Sequence, residues 1–131
     1  MSKIPNDLLY TREHEWVAVK DGVATVGITD HAQDELGDIT FVELPSVGAT
    51  VAQNGEAGAV ESVKASSPVY APLGGVVSAV NQTLDDNPGA VNADPYGAGW
   101  LFKVSVANVT ETQNLLSAEK YREFLPAGKD N

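Results

Sequence analysis

The stretch VELPSVGATVAQN, Val42 to Asn54, is echoed by VYAPLGGVVSAVN, Val69 to Asn81. At a constant offset of 27, Val42 meets Val69, Pro45 meets Pro72, Gly48 meets Gly75 and Asn54 meets Asn81. Allowing four extra residues around Asp85-Asp86-Asn87-Pro88, Gly58-Ala59-Val60 then meets Gly89-Ala90-Val91. A repeated unit constrains a fold more than any single element, because both copies must bury the same kind of face. The echo predicts two similar β-motifs related by an approximate twofold axis. A hairpin between AGAVES and SPVYAP then joins the first motif to the second, and NADPYGAG is the corresponding turn of the second half.

The rest of the chain agrees with a β-rich reading. WVAVKDGVATVGI holds two β-rich runs joined across Asp21-Gly22, a hairpin signal. DITFVELP, ATVA, AGAVESV, PVYAP, GVVSAV and WLFKVSV follow as short strands separated by turn residues. Two helices interrupt them. In ITDHAQDELGDI, Asp30 is the expected cap with Gln33 three residues on, and Gly37 is the stop, giving a short helix near residues 30–36. Ser117 caps AEKYREFL near residues 117–125, with Tyr121, Phe124 and Leu125 on one face and Pro126 and Gly128 closing it. The expected class is mostly β with minor helices (α+β), a small antiparallel sandwich or barrel in a single domain spanning residues 1–131.

Composition narrows the chemistry. Cysteine is absent, so disulfides, thiolate metal sites, iron–sulfur clusters and a cysteine nucleophile are excluded, and thiol chemistry has to come from an attached group. A formal net charge of −10 argues against nucleic acid and against an anionic membrane surface. It suits a freely diffusing partner for proteins with basic patches. No apolar run approaches a bilayer span, and MSKIPNDLLYTREHEW lacks the features of a signal or transit peptide, so a cytoplasmic protein is expected.

One residue breaks the charge pattern. From Asp21 to Phe102 the chain carries eleven acidic residues and a single cation, Lys64. A solubilising lysine has no reason to be the only one of its kind over 82 positions. A catalytic base or Schiff-base amine needs burial or a neighbouring cation to lower its pKa, and the acidic, small-residue surroundings do the reverse. A protruding amine between Val63 and Ala65 better fits a substrate for modification by another enzyme.

ESVKASS, with GAV before it and YAP-x-x-G after it, resembles the lipoyl-lysine hairpin of the glycine cleavage system H-protein family. HEW (His14 to Trp16), VGITDHAQDELGD (Val26 to Asp38), FVELPSVG (Phe41 to Gly48), AVESVKA (Ala59 to Ala65) and PYGAGWLFKV (Pro95 to Val104) are similar to the family's motifs in order and spacing. Nearly the whole chain is covered. Biotinyl domains flank their lysine with methionines, and lipoyl domains of 2-oxo acid dehydrogenases place Asp before it and lack the HEW and ITDHAQDELGD elements, so both match poorly.

The resemblance implies a barrel-sandwich hybrid of two pseudo-twofold-related β-motifs, as in lipoyl and biotinyl carriers. It implies lipoic acid in amide linkage to Lys64, with Glu61, Ser62, Val63 and Ala65 forming the hairpin that lipoyl-attaching enzymes recognise. The implied role is a carrier that is not itself an enzyme. It takes an aminomethyl group from glycine at the pyridoxal-phosphate-dependent glycine decarboxylase and delivers it to the tetrahydrofolate-dependent aminomethyltransferase. Dihydrolipoyl dehydrogenase then reoxidises the arm. A monomer is expected, with no nucleic acid or membrane partner.

Many family members carry an acidic residue shortly after the lysine, where this chain has Pro68, which fixes φ and stiffens the turn's exit. His14 and Glu15 are candidates to line a cleft for the arm, with Glu15 offering a carboxylate to an ammonium that is costly to shelter from water otherwise. His31, in the first turn of its helix, is expected at the surface. Two histidines far apart in sequence indicate no metal site. Trp16, Tyr70, Trp100 and Phe102 are expected to fill or flank the core.

Overall fold

The computed structural model describes residues 3–125. Strands β1 (Leu9–Tyr10), β2 (Glu15–Lys20) and β3 (Val23–Ile28) lead into helix α1 (Asp30–Leu36). Then come β4 (Ile39–Glu43), β5 (Thr50–Val51), β6 (Glu56–Ser62), β7 (Ser66–Tyr70) and β8 (Gly75–Val80). Two single-turn helices, α2 (Thr83–Asp86) and α3 (Ala90–Ala93), precede β9 (Phe102–Val106). A 3-10 helix (Val109–Asn114) and α4 (Ala118–Phe124) follow. The strands form a six-stranded sheet in the order β1-β2-β3-β9-β8-β5 and a three-stranded sheet in the order β4-β6-β7, with every pairing antiparallel.

Alternation along the strands sends one face of each sheet inward. Val77 is buried while its neighbour Val76 faces out, and Phe102 and Val104 are buried on either side of Lys103. From the larger sheet Val17, Ala24, Val26, Val77 and Val104 meet Val42, Val60 and Val69 from the smaller, so one apolar core is shared between two layers. This is the mostly β, barrel-sandwich arrangement expected, with two sheets that do not close into a barrel. A second cluster, Tyr10, Trp16, Ala118, Tyr121 and Leu125, seats α4 on the outer part of the large sheet. Among the described residues no helix is long and apolar enough to cross a membrane.

The Asp21-Gly22 signal produces the β2–β3 turn, with φ values of 53° and 78° as a two-residue hairpin of the primed type requires. The echo is realised in the pairing itself. Thr50 pairs with Val76, and Val77 donates its backbone N–H to Ala49 O at 2.8 Å. Because Val76 and Val77 are the offset partners of Ala49 and Thr50, the two copies pair with each other self-complementarily, as a local twofold axis demands. Gly48 and Gly75 both take positive φ, 93° and 154°, beside this contact.

The echo stops there. Gly58-Ala59-Val60 lies in strand β6, whereas Ala90 and Val91 open the helix α3, so the second half has no strand where the offset predicts one. Two other expectations are corrected. The cap of α1 is Thr29, whose hydroxyl accepts from Ala32 N at 3.2 Å, while Asp30 accepts from Gln33 Nε2 at 2.7 Å and from Lys3 N at 2.8 Å. Asp30 is already helical and its carboxylate is committed outward. Phe124 is 41% exposed, unlike its face-mates Tyr121 and Leu125, and its ring packs beside His14 instead of entering the core. Ser117 does cap α4 by accepting from Lys120 N. Pro126 and Gly128 lie outside the described residues.

Candidate functional site

Lys64 stands in the turn between β6 and β7, and both it and Val63 are exposed. Ser62 N donates to Ala65 O at 2.8 Å and closes the turn. The Ser62 hydroxyl accepts from Lys64 N at 3.3 Å and Ala65 N at 3.1 Å, the local side-chain bonding that makes serine a turn former. Val63 N donates to Asp38 O at 3.1 Å, which ties the tip to the segment following α1. Thr40 Oγ1 donates to Glu61 O below the turn. Each such bond contributes about 0.5–1.5 kcal/mol. The lysine therefore leaves a turn whose backbone has few alternatives. Pro68 costs no ladder bond of consequence, because β7 is an edge strand of its sheet.

The Lys64 stem does not simply point into solvent. A Cβ on Gly37 would stand 3.8 Å from Lys64 Cε, so the side chain passes the C-terminal end of α1. Along α1 and against β7 lies a cleft of about 210 Å³ lined by Glu13, His14, His31, Ala32, Glu35, Leu36 and Ser67. From Leu36 back to His31 is about 8 Å of helix. The lysine stem and the cleft thus share one helix as a wall, and two carboxyl groups, Glu13 and Glu35, line a space otherwise formed by two imidazoles, Ser67 and apolar carbon.

His14 is brought to this cleft, and Glu15 is not. His14 has the left-handed φ of 71°. That turns its ring toward α1, where it meets the His31 ring at 4.7 Å between centroids. Glu15 is 1% exposed. Thr11 Oγ1 donates to its Oε1 at 2.5 Å and Tyr70 N to its Oε2 at 3.1 Å. Burial pushes its carboxyl from an ordinary 4.5 up to about 7, and the bonds from Thr11 and Tyr70 only partly offset that. Thr11 and Tyr70 line a separate hollow of about 340 Å³ with Arg12 and Asn54. Glu15 therefore sits inside the fold and ties the sheets together, instead of offering a surface carboxylate.

His31, expected at the surface, is only 7% exposed, and its ring lies tilted by 42° against that of His14. Seventeen positions of chain hide that contact, and only the tight path from β3 into α1 produces it. Among the described residues no group of three or more His, Cys, Asp or Glu that could hold a metal occurs. The contacts of three further residues leave no mark in the sequence. Thr11 and Thr29 have short polar side chains with no signal beyond capping. Tyr121 reads as a core residue yet places its hydroxyl 2.8 Å from both His14 Nδ1 and Thr29 Oγ1.

Residues 8–127 match the family model of the glycine cleavage H-protein. The chain is 54% identical over 126 residues to the glycine cleavage system H protein of Psychrobacter sp. (strain PRwf-1), covering 95% of this chain and 100% of that one. It is 57% identical over 121 residues to the protein of that name from Neisseria meningitidis serogroup A, covering 92% and 94% of the two chains. A crystal structure of a glycine cleavage system H protein from Mycobacterium marinum is similar with a TM-score of 0.85 and 43% identity, over 92% of this chain and 97% of that one.

Proposed function

The chain belongs to the glycine cleavage H-protein family, and from that premise we propose that it is the lipoylated carrier of the system, with Lys64 as the attachment residue. The observation that carries this is the exposed Lys64 on a hydrogen-bonded turn, the single cation between Asp21 and Phe102. Residues 1–131 act as one carrier domain, monomeric and cytoplasmic, and catalysis belongs to the partners.

The residues present suit an amide-linked arm. Among the described residues the Lys64 ammonium takes no hydrogen bond or ion pair, so acylating it breaks nothing in the fold. Bound there, lipoate supplies the dithiolane that a chain without cysteine lacks, for taking an aminomethyl group at glycine decarboxylase, yielding it at the tetrahydrofolate-dependent aminomethyltransferase and being reoxidised by dihydrolipoyl dehydrogenase. Glu61, Ser62, Val63 and Ala65 present the amine in fixed register to lipoyl-attaching enzymes. The acidic surface around the hairpin raises the encounter rate with basic faces on those partners. The cleft along α1 shelters the arm between visits, with Glu13 and Glu35 offering counter-charge to a cationic cargo and His14 forming a wall. Glu15 contributes from behind by holding Thr11 and Tyr70.

The test is an intact mass with peptide mapping on wild type and Lys64→Arg, both made in cells supplied with lipoate. One lipoyl group on the Lys64 peptide, absent from the variant, is the expected result. A bare Lys64 in cells that lipoylate a control carrier refutes the proposal.

A further inference from the structure

The hollow of about 340 Å³ beside the arm cleft takes no part in carrying the arm, yet its walls are individually fixed. Thr11 and Tyr70 are both bonded to the buried Glu15. Asn54 N donates to Ala71 O at 2.7 Å, and Asn54 holds the left-handed φ of 68°. Asn114 Nδ2 donates to Gln53 Oε1 at 3.0 Å, and Gln53 Nε2 in turn donates to Pro72 O and Glu111 O. Leu116 N donates to Tyr10 O at 2.7 Å. Segments remote in sequence are thus held around one space, whose size falls in the range of about 300–1,000 Å³ typical of preformed small-molecule sites.

The side chains on those walls keep unspent polar groups. Asn54 and its counterpart in the echo, Asn81, show the contrast. Asn81 is buried and its amide bonds to Ala98 O, Trp100 O and Thr83 Oγ1. Among the described residues the Asn54 amide, the Tyr70 hydroxyl, the Arg12 guanidinium and the Glu13 carboxylate make no hydrogen bond or ion pair. The Arg12 guanidinium lies 5.9 Å from the centroid of the Phe124 ring, an arrangement that leaves its N–H edges for an acceptor. Arg12 and Glu13 are opposite charges on one hollow that do not pair with each other. An occupant with only a carboxylate meets the Glu13 charge, and one with only an ammonium meets Arg12. A zwitterion satisfies both, and Leu115 and Leu116 offer its body an apolar wall.

We propose that this hollow binds an α-amino acid with an apolar side chain. Its carboxylate pairs with Arg12, its ammonium with Glu13 and its side chain with Leu115 and Leu116, while Asn54 and Tyr70 supply hydrogen bonds. Glu13 lines the arm cleft as well. The amino acid and a cationic cargo therefore compete for one carboxylate, a consequence that rests on the reading that the cleft shelters the arm.

Titrating the full, unmodified, ¹⁵N-labelled chain with leucine at neutral pH should move the amide signals of residues 11–13, 54, 70 and 114–116 along saturable curves. N-acetylleucine lacks the ammonium, leucinamide the carboxylate and glycine the side chain, and each should bind several-fold more weakly. Arg12 and Glu13 are exposed, so substituting them leaves the core intact. Arg12→Gln should weaken leucine several-fold without weakening leucinamide, and Glu13→Gln should weaken leucine without weakening N-acetylleucine. The absence of saturable shifts with leucine, equal affinities for leucine and its two derivatives, or a variant that weakens all three alike would each overturn the proposal. On the lipoylated, loaded chain the affinity for leucine should fall several-fold, and an unchanged affinity would overturn the competition for Glu13. A chain that takes no lipoyl group refutes the carrier reading instead, and the titrations of the unmodified chain still decide the site.

Discussion

The Glu15 carboxylate accepts the backbone N–H of Tyr70 at 3.1 Å, so one buried acid bridges the first hairpin of the large sheet to the edge strand of the small one. Its acidity makes this bridge pH-dependent. The unfolded chain ionises Glu15 near 4.5, whereas the folded chain holds the proton until about 7. As pH rises between those values the unfolded state releases the proton first, so the contribution to stability is greatest below 4.5, declines through the window and is level above it. A shift of that size corresponds to about 3 kcal/mol. Urea unfolding at a series of pH values should show this decline in wild type and not in Glu15→Gln, which has no titratable proton and whose amide oxygen can still accept from Tyr70 N. Parallel profiles for the two proteins would contradict it.

Ser62→Ala should loosen the hairpin tip without unfolding the protein. It removes the acceptor for Lys64 N and Ala65 N at exposed positions, a change of about 0.5–1.5 kcal/mol. The expected result is a melting temperature within a few degrees of wild type and slower lipoylation of Lys64, read by mass at timed intervals. An unchanged rate would mean that the modifying enzyme orders the turn itself.

Thr29 and Asp30 can be separated by mutation. Thr29→Ala removes both the cap of α1 and the bond to Tyr121, and should cost about 2 kcal/mol or more. Asp30→Ala removes a partly exposed carboxylate bonded to Lys3 N and Gln33, and should cost under about 1 kcal/mol. Chemical denaturation of the two variants orders them. A larger loss from Asp30→Ala would return the cap to Asp30.

Asn92 holds three elements at once. Its Oδ1 accepts from Ile39 N at 2.8 Å, and its Nδ2 donates to Gln33 Oε1 and Gly37 O, each at 2.9 Å. Asn92→Ala leaves the Ile39 N–H and the Gly37 carbonyl without partners and should destabilise by about 2–3 kcal/mol. Because the Lys64 stem passes Gly37, the same variant should also broaden the amide signals of residues 37–38 and 63–65 in a ¹H–¹⁵N spectrum. Sharp, unshifted signals there would confine the effect of Asn92 to stability.

What could be read from the sequence was set locally. The Asp21-Gly22 hairpin, the Ser117 cap and the exposed turn that carries Lys64 depend on their immediate neighbours, so they follow from residue type and spacing. Thr29 against Asp30 is a choice between adjacent capable caps, and what decides it is the use that Lys3 and Gln33 make of Asp30. α3 has one turn and exists because Asn92 reaches α1 and β4, a tertiary cause that the apparent repeat obscured. The burial of Glu15 and His31 has the same origin. Each is polar and reads as a surface residue until the partners, Tyr70 and His14, arrive from elsewhere in the fold.

The position of β9 at the centre of the large sheet, between β3 and β8, has a consequence for how the chain folds. Val23–Val26 pair with Phe102–Ser105, strands separated by most of the sequence, whereas the β2–β3 and β6–β7 hairpins close over a few residues. A chain emerging from the ribosome can form both hairpins early, the one that presents Lys64 included. It cannot join β1-β2-β3 to β8-β5 until Phe102–Val106 is made. High contact order at that one strand places the slow, committing step of folding near the end of synthesis.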